Sequence, residues 1–132
     1  IVDVLVDHYD RHGGRVLRML AQEEREPTLK QLADLGRSFH LEWCKQAFSP
    51  TLKGLRGAKR ERRVAQLVAV TDIYTWKLLR LDRGLSRRET KLGMRELLEK
   101  WVGRTSLIAL AGFGVLVAIF VARSRRKPAE SS

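Results

Sequence analysis

From Thr105 to Ala122 the chain runs 18 residues without one charged or amide side chain, and Arg104 and Arg123 bracket the run. Such a segment has two outlets: a lipid bilayer, or burial on every side by protein. As a helix it reaches about 27 Å, close to the roughly 30 Å hydrocarbon thickness of a bilayer. The soluble outlet asks the roughly one hundred preceding residues to wrap it completely, and a domain of that size lacks the surface. Trp101 stands just outside the run as an interfacial anchor, and Arg123, Arg125, Arg126 and Lys127 stop it as a membrane flank does. Gly114, Ala118 and Ala122 recur every four residues, a small-residue stripe that lets two spans approach. The expectation is a transmembrane helix from Thr105 to Ala122 followed by a basic polar tail, 123–132. Residues 85–104 carry six basic groups against four beyond the run, so the positive-inside rule leans towards a cytoplasmic body with a short translocated tail.

The remainder reads as all-α. No period-two alternation of β-branched residues is sustained, and Gly and Pro fall between stretches of helical period. A first helix is expected over 1–12, with Val4, Leu5, His8 and Tyr9 on one stripe, interrupted by Gly13-Gly14; a second covers about 15–25. Pro27 suits the first position of a third helix, which runs to about Phe48 and ends at Ser49-Pro50. Residues 50–58 make a loop. A long fourth helix is expected over 59–82. Along it Val64, Leu67, Val68, Thr71, Tyr74 and Leu78 form one apolar stripe, and Ala65, Ala69, Trp76 and Leu79 a second. A helix apolar on two flanks is covered on two sides, which a dimer achieves more readily than a lone small domain. Gly84 closes this helix. Ser86 and Glu89 form a capping box for a fifth helix over 87–101, with Leu92, Met94, Leu97, Leu98 and Trp101. The domain is thus 1–100, with 101–104 a junction to the apolar helix.

The chain carries 26 Lys+Arg against 15 Asp+Glu, a net charge of +11, which suits acidic partners. Residues 123–132 supply +3 of it and the rest +8. A single cysteine, Cys44, builds no disulfide framework, so a reducing, cytoplasmic setting for the body is the default. The opening IVDVLVDHYD already reads as mid-helix, and the expectation is that further sequence precedes Ile1.

The block RVAQLVAVTDIYTWKLLRLDRGLSRRETKLGMRELLE, residues 63–99, resembles the last two helices of TetR/AcrR-type transcriptional regulators, with DIYTWKLLRLDRGLS its strongest signature. The stretch YDRHGGRVLRMLAQEEREPTLKQLADLGRSFHLEW, residues 9–43, is similar to the ligand-domain helices of the same group. The resemblance implies a helical domain that binds a small-molecule effector and forms a homodimer through its final two helices. The interface would include Leu67, Thr71, Tyr74, Leu78, Leu97 and Leu98, and residues 1–48 would wrap the effector. It also implies DNA recognition, but only through a helix-turn-helix that this chain does not contain. The apolar tail is a second departure from the family pattern.

The effector-pocket candidates are Tyr9, Phe39, His40, Trp43 and Asp72: an aromatic wall with a few polar groups, as a small-molecule site needs. Each has a plainer role beside it. Phe39, His40 and Trp43 also suit core packing. Asp72, a carboxylate within an apolar helix, also suits pairing with an arginine such as Arg18 or Arg95. His8 and His12 stand one helical turn apart, but no Glu or Cys completes a metal shell, so they read as ordinary helix-end histidines and no metal or cofactor is expected. The KRERR cluster at 59–63 can touch phosphates, and equally makes a solvated helix face. LKQLADLGRSFHLEW opens like a helix-turn-helix, yet Phe39 and Trp43 continue the preceding stripe without a stop, so one helix is expected. With no phosphate loop, paired carboxylates or nucleophile triad, the chain does not read as an enzyme. The alternative to a regulator is a membrane-anchored helical scaffold, or a regulator remnant, with no DNA or ligand role.

Overall fold

The computed structural model describes residues 1–102, and these are mostly helical, with no strand among them. The predicted span Thr105–Ala122 and the basic tail lie outside the described residues. Within them, no helix is long and apolar enough to cross a membrane. Six α-helices follow one another: α1 (Val2–Leu20), α2 (Pro27–Ala47), α3 (Ser49–Leu52), α4 (Gly57–Thr71), α5 (Ile73–Lys77) and α6 (Arg87–Val102). A π-helical segment, Leu78–Asp82, continues α5.

Gly13-Gly14 does not interrupt α1, contrary to the sequence expectation. Gly13 is buried, and a Cβ there would lie 2.6 Å from Cζ3 of Trp76. The missing side chain admits an indole against the backbone, and that packing offsets the ~1 kcal/mol a helical glycine costs. A single helix therefore stands where two were expected, and it ends at Leu20. α2 is uninterrupted from Pro27, at its first turn, so the Leu29–Trp43 stretch contains no turn of a helix-turn-helix.

The expected helix over 59–82 is likewise three pieces. It starts at Gly57, whose φ of 53° favours glycine. It breaks at Asp72, where ψ opens to 152° and the carboxylate Oδ1 accepts a 2.8 Å hydrogen bond from the Tyr74 amide, capping α5. The break re-aims the stripe. Val64, Leu67 and Thr71 face the interior, while Tyr74 and Leu78, which continue their spacing, face outward. Gly84, at φ 67°, closes the π-helical segment, and Ser86 Oγ accepts from the Glu89 amide at 3.2 Å to start α6.

The core lies between α1, α2, α4 and α6, around Leu5, Val6, Trp43, Phe48, Leu67, Trp76, Met94 and Leu98. Across one seam the packing is ionic. Asp3, Asp7 and Asp10 repeat at helical spacing on α1, and α6 answers antiparallel. Arg95 meets Asp3 at 3.1 Å, Lys91 meets Asp7 at 2.8 Å, and Arg87 meets Asp7 at 2.6 Å and Asp10 at 3.6 Å. The paired cations hold the Asp7 carboxyl below its ordinary range, Lys91 first.

Candidate functional site

Thr71, the last residue of α4, gathers the polar side chains of the interior. Its hydroxyl donates to the Leu67 carbonyl at 2.8 Å. A hydroxyl has one proton, so at this oxygen His40 Nε2, 2.8 Å away, is the donor. Tyr9 OH donates to the Thr71 carbonyl at 2.8 Å, and Cys44 Sγ lies 3.4 Å from the hydroxyl. α1 thus supplies Tyr9, α2 supplies His40 and Cys44, and the α4–α5 break supplies Thr71 and Asp72.

The donor role of Nε2 leaves Nδ1 of neutral His40 as an acceptor. It faces Asp72 Oδ2 at 3.7 Å, and the two side chains are 16% and 31% exposed. Burial keeps His40 below the usual histidine pKa, although the Asp72 charge pulls the other way. Two acceptors therefore face each other at the edge of the bundle. Burial also raises the Tyr9 phenol and pushes the Cys44 thiol up to about 11, so both are protonated at neutral pH; a thiol in that state is a poor nucleophile.

Of the expected pocket residues, Tyr9, His40 and Asp72 meet at this node. Trp43 stacks on His40 with ring centres 6.0 Å apart and is buried in the core. Phe39 is half-buried one residue away on α2. Arg18 and Arg95 do not serve Asp72: it accepts from the Tyr74 amide and faces His40, and Arg95 belongs to Asp3. Thr71, an expected interface residue, has its side chain fully covered by its own chain and forms the hub of the node.

The expected interface residues divide in the same way. Leu67, Thr71 and Leu98 are each 0% exposed, closed off by their own chain, and so belong to the core. Tyr74, Leu78 and Leu97 are 54%, 53% and 38% exposed, and Leu81, which sequence reasoning did not single out, is 52% exposed. Ala65 and Ala69 on α4 are exposed as well. His8 and His12 lie with ring centres 4.8 Å apart and planes tilted by 45°, and the His8 pKa is lowered to about 4 by burial, then by the neighbouring His12 and Arg11 charges. Among the described residues no three His, Cys, Asp or Glu side chains converge as a metal site does. Compared with protein-family models, curated proteins and solved structures, the chain matches none.

Proposed function

We propose that this chain is the effector-binding and dimerisation portion of a TetR-like regulator, held at a membrane by its C-terminal apolar helix. The observation that carries this reading is the outward face of the α4–α6 hairpin. Tyr74, Leu78 and Leu81 stand about half-open to water before the Gly84 turn, and Leu97 is partly open on the helix after it. Large apolar side chains left open on a helix pair of a small domain are what an association surface offers. An antiparallel helix pair with such a face is half of a four-helix bundle, and a second copy of the chain supplies the other half.

The node at Thr71 supports the effector part. An effector bearing an ammonium or amide N–H can bridge His40 Nδ1 and Asp72 Oδ2, the two facing acceptors, against Trp43 and Phe39. Asp72 also caps α5, and α5 leads directly to the exposed Tyr74 and Leu78. A ligand drawing on the Asp72 carboxylate therefore acts on the segment that carries the association face. It shifts that segment only by its differential affinity for the two arrangements. DNA recognition in this reading belongs to a helix-turn-helix outside the chain.

Cross-linking tests it. Cys44 is fully buried, so a cysteine at an exposed position is the reactive one. In detergent-solubilised full chain, Leu78→Cys should form a covalent dimer on mild oxidation. Leu35→Cys, at a still more exposed position on α2, should not. Equal yields from the two variants would remove the hairpin from the interface.

A further inference from the structure

The densest run of basic residues outside the ion pairs lies at one end of the bundle. Lys53, Arg56, Lys59, Arg60, Arg62 and Arg63 fall within eleven residues, and Glu61 is the single acid among them. Among the described residues none of the six meets a carboxylate within ion-pair distance, in contrast to the chain of pairs along α1 and α6. Four of them crowd the first two turns of α4, whose N-cap Arg56 offers no side-chain cap and whose first turn holds no acid. Cations at the positive end of a helix dipole repel it, so the fold gains nothing from placing them there. Lys45, Lys53 and Arg60 rim an open groove floored by Pro50 and Leu52.

The position of this end is the second observation. Arg63 lies over the Trp101 ring at 4.7 Å from its centre and donates to the Trp101 carbonyl at 3.4 Å. The basic cluster therefore abuts the last turn of α6. From Val102 only three residues lead to Thr105, where the uncharged run begins, and three residues reach at most about 10 Å. That is comparable to the ~8 Å Debye length at physiological salt.

We propose that this basic end is a docking surface for an anionic lipid bilayer: Lys53, Arg56, Lys59, Arg60 and Arg62 face lipid phosphates and carboxylates, Arg63 ties the cluster to the last turn of α6, and the Pro50–Leu52 floor meets the headgroup boundary. The location rests on reading 105–122 as a membrane span, whereas the charge pattern does not. Nucleic acid shares the phosphate chemistry, but the short tether to the apolar run favours the bilayer.

The test uses the full chain with vesicles of phosphatidylcholine alone or with a third phosphatidylserine. A dye on Ser49→Cys and an acceptor on the headgroups report how closely the body sits. Energy transfer should rise in the phosphatidylserine vesicles and return to the phosphatidylcholine value at about 0.5 M salt. The variant K53E/R56E/K59E/R62E, whose four positions are all exposed, should lose the rise and lower salt-sensitive partitioning about tenfold or more. The corresponding Lys→Arg changes should retain both. Equal transfer in both lipids, an unaffected charge-reversal variant, or displacement by duplex DNA at phosphate concentrations below that of the vesicles would overturn the proposal. If carbonate extracts the chain from both vesicles while the salt-sensitive binding to phosphatidylserine persists and falls with the variant, the span reading fails and the docking surface stands.

Discussion

The inner and outer flanks of the stretch from Gly57 to Asp82 are built from the same residue types, yet they meet different fates. The inner flank, Val64, Leu67, Thr71, Ile73 and Trp76, is sealed by α1, α2 and α6. The outer flank, Ala65, Ala69, Tyr74, Leu78 and Leu81, is left open. Asp72 separates them: by ending one helix and capping the next, it sends side chains spaced as one stripe to opposite sides. The difference teaches that apolar spacing alone does not say whether a residue serves the fold or an association, because a one-residue break re-aims everything after it.

Substitutions on the two flanks should therefore fail differently. Leu67→Asp buries an unpaired charge and should abolish the helical circular dichroism signal. Leu67→Ala should cost about 3 kcal/mol in a denaturant titration, at any protein concentration. Leu78→Asp should keep the helical signal and change association alone. If Leu78→Asp unfolds the chain as Leu67→Asp does, the outer flank is core by another name.

Gly13→Val drives a branched side chain into the Trp76 indole and should cost roughly 1–3 kcal/mol, with a shift in tryptophan emission. Full stability with unchanged emission would remove the close packing of α1 on α5. Asp72→Ala removes the cap at the junction of the flanks and should cost about 1 kcal/mol, while Asp72→Asn should retain most of it. Equal losses from both would show that the carboxylate's charge, and not the cap hydrogen bond, carries the effect.

The smallest effect is acid sensitivity of the inner face. His8 and His40 both have folded pKa values below the ordinary 6.5, so between about 4 and 6.5 the unfolded chain binds more protons than the folded one. Stability should be full above pH 6.5 and decline as pH falls through that window. His8→Gln should flatten the His8 part of the decline; an unchanged melting profile from pH 7 to 5 would contradict it.

Much of the helical framework is legible in the sequence where the determinant is local. Pro27 starts α2, Gly84 and Ser86 punctuate the hairpin, and helical spacing marks α6. Long-range determinants are not legible. Gly13 looks like a breaker until Trp76, 63 residues on, is seen lying on it. Asp3, Asp7 and Asp10 look like a solvated face until α6 brings Arg87, Lys91 and Arg95 to them. At the candidate site, the aromatic and polar residue types pointed to Tyr9, His40 and Asp72. Thr71 is hidden, because a threonine in an apolar stripe gives no sign that three polar side chains converge on it. The Thr-Asp pair before Ile73 does carry an N-cap signal, outweighed in the sequence by the continuous apolar period around it.

The association face is tested most directly by the protein mass of the detergent-solubilised full chain, from light scattering corrected for bound detergent, beside that of Tyr74→Asp/Leu78→Asp. The account predicts twice the 15.1 kDa chain mass for the unaltered protein and a single chain for the double variant, with the same helical signal in both. A single chain in both cases, or a dimer that survives the double substitution, would contradict it.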